Sequence, residues 1–497
     1  MKIHYILTVI FASLALSSCI SDDSTEGTNI LPTLTIAESK TTDMPVLNFN
    51  LGEDCVITPE LAYNGTDTLT YNWYVGTYKD GVKGKLERVS GQRNLNYKFL
   101  SGGSYYAHFT VSDGKVGAVA DYQININRTF ENGYLLVSND EAGKSNLAFV
   151  KIMTPEEIKA GTPQITMEHV IERMNSDIKP GSLIGAIHGT IVWPKKIHRV
   201  LASTADQCYF FDPNTFTITS SLNYNNVKAG FKASSFHPDS YSPFVYDNQQ
   251  KQFIHMNLQY MFGYEYGSFK GLTFDDCYQN TYAAWGSTYY ITLFVDYATS
   301  EVKEMDFNTG SFISTGKRLA GQDIMSAFIT EIKEYIPHEL ILTRSKTDLS
   351  QWFLHEYEGI PYLADDNMGN ITQIKTTDQT AVPTQKTRFA FSAKNNRYFY
   401  PVGNAIYVFL PSSTTPMPDK NQWAISFAQD EIVTYMDVNA TTDELYVATY
   451  SSSSHRGSFY IFNCSDIKTD QQGNIKPTAA HKNVADRISQ IIYKPSL

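Results

Sequence analysis

Three acidic pairs are the first residues in this chain whose types suit catalysis: Asp275-Asp276, Asp365-Asp366, and Glu356 with Glu358. Two carboxylates held apart across a sugar can share acid, base and nucleophile roles in glycoside hydrolysis. Adjacent residues on a strand point to opposite faces, so Asp275-Asp276 and Asp365-Asp366 cannot form such a pair within regular strand. Asp365-Asp366-Asn367-Met368-Gly369-Asn370 clusters oxygen ligands of the kind calcium takes, but it lacks EF-hand spacing and reads as a solvated turn. The serine elbow Gly-x-Ser-x-Gly is absent. The eleven histidines include no HExxH and no pair at ligand spacing beside an acid. His338-Glu339 and His355-Glu356 lie beside β-like apolar runs without a second His, and read as strand-edge residues. Apart from Cys19, the cysteines Cys55, Cys208, Cys277 and Cys464 are widely spaced with no CxxC, which favours buried free thiols over disulfides or zinc. No catalytic residue, metal site or cofactor is expected.

Aromatic residues are the better candidates for ligand contact. Gln259 to Gly267 carries Tyr260, Tyr264 and Tyr266 with glycines between them. Three such rings can form an exposed platform that stacks on sugars or holds peptide side chains while the hydroxyl stays in water. The same alternation also suits a strand packed between blades. Tyr450, Ser451 to Ser454 and His455-Arg456-Gly457 read as an exposed loop.

The N-terminus carries addressing information. Lys2 precedes the apolar run Ile6 to Leu16, which ends in Leu16-Ser17-Ser18-Cys19. A basic start, an apolar stretch too short to span a bilayer and small residues before the cut make residues 1–18 a secretory signal peptide. Leu16 to Cys19 resembles the bacterial lipobox, which implies that Cys19 becomes the lipidated first residue of the mature protein. Ser21-Asp22-Asp23-Ser24 resembles the export signal that sends lipoproteins outward in bacteria with SusC/SusD-type nutrient importers. The resemblance implies an outer-membrane, lipid-anchored protein facing the exterior, with Asp22 and Asp23 as the signal.

Composition bounds the remainder. Cleavage before Cys19 leaves about 480 residues, enough for two or three domains. Abundant aromatics (33 Tyr and 28 Phe) and only 18% charged residues suit a packed β-rich protein and argue against disorder. The net charge of −11 is not offset by any basic block, so nucleic acid is excluded as a partner.

An all-β organisation is expected from these patterns. Residues 19–30 form a polar tether. Residues 31–127 alternate apolar and polar, as in Thr68 to Val75 and Tyr105 to Val111, which predicts a small β-sandwich. Tyr71-Asn72-Trp73-Tyr74-Val75, Gly103-Ser104-Tyr105-Tyr106 and Thr110-Val111-Ser112-Asp113-Gly114 resemble strands of PKD-type immunoglobulin-like domains. The usual Asp-Phe-Gly-Asp run after the Trp is missing, so the resemblance is to the PKD-like branch found in surface lipoproteins beside SusC/SusD-type importers. Trp73 is expected in the core and Asp113-Gly114 at a turn. Residues 128–132 read as a polar joint.

Residues 133–497 repeat β-hairpins, as in Phe244–Ile254, Phe389–Tyr400 and Tyr435–Ala448. A second hairpin type, at Cys208–Thr215 and Val302–Thr309, carries an Asp-x-x-Thr turn in which the Asp oxygen takes backbone N–H groups. Repeating hairpins predict a β-propeller, roughly seven blades at about 40 to 55 residues each. A single large β-sandwich is the competing fold. Short helices are expected at Pro155–Lys159 and Val170–Met174. Ile488–Tyr493 reads as a last strand able to close the ring.

Two function classes remain. In one, this is a non-catalytic accessory lipoprotein that binds peptide or glycan, or docks on a SusC/SusD-type transporter. In the other, it is a surface hydrolase or lyase with its active site in the propeller funnel.

Overall fold

The computed structural model describes residues 31–496, apart from 41–43, 80, 192–195, 239–242, 266–271, 285–286, 307–310, 315–318, 334–335, 359–367 and 470–474. Cys19, Asp22, Asp23, Tyr266, Asp365, Asp366 and the second Asp-x-x-Thr turn therefore lie outside the described residues. The chain divides into two compact units, Met1–Asn127 and Arg128–Leu497. Among the described residues, no helix is long and apolar enough to cross a membrane.

In the first unit the largest sheet orders Val46–Asn50, Gly117–Asn127, Gly103–Ser112, Thr70–Lys79 and Val82–Lys83, with Glu87–Ser90 also on Thr70–Lys79. Two short ladders accompany it: Leu34–Ile36 with Leu61–Tyr63, and Asp54–Ile57 with Leu95–Lys98. Alternation sets the inward face, since Ala120, Tyr122, Ile124 and Ile126 of one strand are all buried. Trp73 is fully buried, its ring 4.5 Å from Phe109 and 5.7 Å from Tyr122. At the turn, Gly114 takes φ +90°, and Asp113 Oδ1 accepts the N–H groups of Lys115 and Val116 at 2.8 Å each.

The second unit is a β-propeller, with seven four-stranded antiparallel sheets among the described residues. Blades two to seven occupy residues 183–223, 235–265, 276–314, 322–375, 390–426 and 431–485, each an uninterrupted meander. Blade one is composite. Gly133–Asn139, Ser145–Lys151 and Thr166–Met167 supply three strands, and Arg487–Lys494 returns as the fourth beside Gly133–Asn139. The terminal strand thus closes the ring as the sequence suggested. The two short helices form at Pro155–Lys159 and Val170–Met174, the first behind a Thr154/Glu157 capping box.

The core is distributed between neighbouring blades. Phe210 and Leu201 of blade two pack on Val245 and Ile254 of blade three. Phe244 and Phe253 meet Phe294 of blade four. Leu340 and Trp352 of blade five meet Tyr400 and Phe409 of blade six. Tyr446 and Phe459 of blade seven meet Tyr134 of blade one. Each sheet is apolar on both faces, so each needs two neighbours, and only a closed ring supplies them all. The segment read as a polar joint packs into this unit, with Phe130 fully buried against Phe149 and Phe216.

One sequence expectation changes here. His355 and Glu339 are not strand-edge residues: both are buried inside blade five, where His355 Nε2 meets Gln322 Oε1 at 2.9 Å and Thr343 Oγ1 at 3.1 Å. The serine loop after Tyr450 is exposed as expected, and it is braced. Asp430 holds Ser451 and Ser453, and Arg456 bridges Glu168 at 2.7 Å and Asp486 at 3.3 Å.

Candidate functional site

The inner strands of blades two, three, four and seven, the closing strand and the segment leading into blade six line a cavity of about 800 Å³. Its lining draws Gly185 from blade two, His237 from blade three, Tyr278 from blade four, Tyr435 and Asp437 from blade seven, and Ser489 from the closing strand. Gly185 is required there, because a side chain would strike the Phe236 ring of the next blade.

Four inner strands carry, at matching positions, a bulge of one extra residue against the second strand. The extra residues are Ser489, Ile184, Met325 and Thr434 in blades one, two, five and seven. A bulge leaves its residue unpaired and re-aims it. Thr434 shows the result: the residue lines the cavity, and its hydroxyl is buried with no hydrogen-bond partner among the described residues. Beside each bulge, on the second strand, sits a fully buried hydroxyl residue: Ser138, Ser203, Thr343 or Thr449. Each ends an apolar run (Leu136-Val137-Ser138, Leu201-Ala202-Ser203, Ile341-Leu342-Thr343, Val447-Ala448-Thr449), a repeat present in the sequence that marks the second strands and that the hairpin comparison missed.

Charge enters the cavity from the segment leading into blade six. Lys386 Nζ stands 3.3 Å from Asp275 Oδ1, and Arg388 Nη2 stands 2.6 Å from Asp276 Oδ1. Asp275 and Asp276 thus engage different cations, in keeping with their unsuitability as a catalytic pair. Arg388 lies over the Tyr278 ring at 5.6 Å and Lys386 over Tyr297 at 5.4 Å, both within cation–π range. Both cationic side chains line the cavity and are more than half exposed. Burial opposes the Arg388 charge, but Asp276 outweighs it and holds the guanidinium above its ordinary value.

Asp437 supplies the opposite sign. Enclosure lifts its carboxyl above the usual carboxylate range, while the Val438 N–H at 2.8 Å and the Tyr435 hydroxyl at 3.2 Å stabilise its anion. His237 is held neutral: burial, reinforced by the Arg388 charge, pushes its pKa down to about 3. The ring stacks on Phe244 at 4.7 Å, and its Nε2 lies 2.8 Å from Ser235 Oγ. So weak a proton acceptor does not activate a serine at neutral pH.

The tyrosine platform is partly as read. Tyr260 and Tyr264 are 66% and 39% exposed, and Phe262, not anticipated, stands between them at 45%. Successive ring centroids are 6.4 and 6.1 Å apart. These rings lie at the outer edge of blade three, on and just before its fourth strand Phe262–Glu265, away from the axial lining. All four cysteines beyond Cys19 are buried and unpaired. Among the described residues, no group of three or more His, Cys, Asp or Glu is placed to hold a metal.

Sequence signals for the cavity were thin. Lys386-Thr387-Arg388, two cations at strand spacing ahead of an apolar run, was the available one. Asp437 and Tyr435 sat inside a hairpin already noted, with nothing to mark them as axial.

No family model matches the chain, and no curated protein matches it. Among solved structures, it is similar to a quinoprotein alcohol dehydrogenase-like protein from Bacteroides thetaiotaomicron (TM-score 0.49, 16% identity, covering 93% of this chain and 99% of that one). It is also similar to AztD from Citrobacter koseri (TM-score 0.34, 8% identity, 86% and 98% covered). A third similarity is to the Swd1 β-propeller domain of Myceliophteria thermophila (TM-score 0.35, 10% identity, 58% and 84% covered). The propeller architecture itself rests on the strand order: seven four-stranded meanders closed by the terminal strand.

Proposed function

We propose that this chain is a non-catalytic lipoprotein of the outer-membrane surface, anchored through Cys19 and routed outward by Asp22 and Asp23. In this reading it is accessory to a SusC/SusD-type importer, with the propeller as the head that binds peptide or glycan. The observation that carries the binding role is the axial cavity: a rigid, closed ring presents fixed cationic, anionic and hydroxyl groups without an activated nucleophile. Such preorganised polar groups orient a ligand at little entropic cost. Tyr260, Phe262 and Tyr264 offer a second contact face.

Pull-down of the tagged protein from solubilised outer membranes tests the reading. Co-purification with a large β-barrel transporter and its lipoprotein lid is the expected result. A solitary protein that generates new cleavage products from mixed peptides or polysaccharides, lost when one acidic residue of the propeller is changed, would replace it with the surface hydrolase or lyase.

A further inference from the structure

The axial cavity also carries information about which of the two ligand classes it takes, given that it is the binding site proposed above. Arg388 has five N–H donors in a rigid fork, and Asp276 engages it through a single Nη2 contact. Among the described residues, its other donors have no protein acceptor. Lys386, two residues earlier, adds a second positive charge to the same lining. Asp437 supplies an oppositely charged group within the same cavity, near enough for the Arg388 charge to act on it.

We infer that this cavity takes a zwitterionic peptide, with a ligand carboxylate on Arg388 and Lys386, and a ligand ammonium at Asp437.

The competing ligand is a neutral glycan. Sugars bind by stacking on open aromatic faces, but here Arg388 covers the lining ring of Tyr278. A neutral sugar would also bring no cation to Asp437 and no anion to the Arg388 donors that Asp276 does not engage. A carboxylate can meet the Arg fork with two parallel N–H···O bonds. A polyanion fits poorly, because Asp275, Asp276 and Asp437 share the site.

The test uses the full-length protein in detergent micelles, immobilised and exposed to a tryptic digest of casein. The same digest with amidated C-termini, the digest with acetylated amines and a mixture of neutral malto-oligosaccharides are run beside it. Retained species are read by mass spectrometry. Free peptides should be retained about tenfold better than amidated ones, roughly one charge-assisted hydrogen bond. Arg388→Gln should erase that preference, and Arg388→Lys should keep part of it. Asp437→Asn, which leaves the Arg388–Asp276 pair intact, should erase the preference over acetylated peptides; it is informative even if Arg388→Gln does not fold. Equal retention of free and amidated digests, or no peptide retention, overturns the inference. Retention of malto-oligosaccharides alone overturns it while leaving the proposed binding function standing. If nothing is retained, the importer pull-down decides that function separately.

Discussion

The side-chain amide of Gln490 pairs with the backbone of Ala186, 304 residues away in sequence: its Oε1 accepts the Ala186 N–H at 3.1 Å, and its Nε2 donates to the Ala186 carbonyl at 2.9 Å. One glutamine therefore extends the hydrogen bonding of the closing strand across to blade two. Gln490→Leu leaves both backbone groups of Ala186 without these partners. It should cost about 1–3 kcal/mol in urea unfolding, the usual penalty for stranding buried polar groups. A loss below about 0.3 kcal/mol would show that water replaces the clasp.

Phe210 is fully buried between blades two and three. Phe210→Ala removes a ring that the rigid neighbouring sheets cannot collapse to fill. The expected cost is about 3–5 kcal/mol, read as a lower denaturation midpoint with an unchanged denaturant slope.

Acid should weaken the propeller. Burial pushes His188, His255 and His355 down to about 4 and His237 to about 3, all from an ordinary 6.5. Between those values the unfolded chain binds more protons than the folded one, so stability is complete above pH 6.5 and is lost as pH falls through 4 toward 3. The melting temperature should drop steeply across that window. His237→Phe should flatten the drop, and an unchanged profile would refute the neutral state assigned to this ring.

Lys494 predicts the opposite end of the pH range. Its side chain is fully buried, its Nζ donates to the Glu131 carbonyl at 3.2 Å, and burial lowers its pKa to about 8 from 10.5. Because the folded state sheds this proton first, stability should rise between pH 8 and 10.5, by on the order of 3 kcal/mol. Lys494→Met should be at least as stable as the parent at pH 7 and should lack the alkaline rise.

Localisation can be tested apart from the fold. Cys19→Ala should release the protein from membranes on fractionation. Replacing Asp22 and Asp23 with Ala should shield it from external protease on intact cells. Continued digestion of that variant would dismiss the export role.

What the sequence disclosed was local. The Asp212 turn was readable because its chemistry lies within four residues, and Asp212 Oδ1 does accept the N–H groups of Asn214 and Thr215. The same device recurs at Asp247 and Asp296. Arg487–Lys494 was readable because a hairpin fold needs a last partner. The cavity was not, since Arg388 meets Asp276 from 112 residues away and the ring alone brings them together. His355 was misplaced for a related reason: a polar residue amid apolar ones looks marginal until Gln322, from another strand, is seen to satisfy it.

Composite blade one also sets the order in which the protein can assemble. Gly133–Asn139 emerges early in synthesis, but its inner partner, Arg487–Lys494, emerges after every other blade. Until then the early strand has one bare edge, open to pairing with another chain. Joining ends separated by hundreds of residues is entropically costly and slow. Newly made protein must therefore be kept from its neighbours during that interval, and chains shortened by these last residues should be found in aggregates rather than as six-bladed rings.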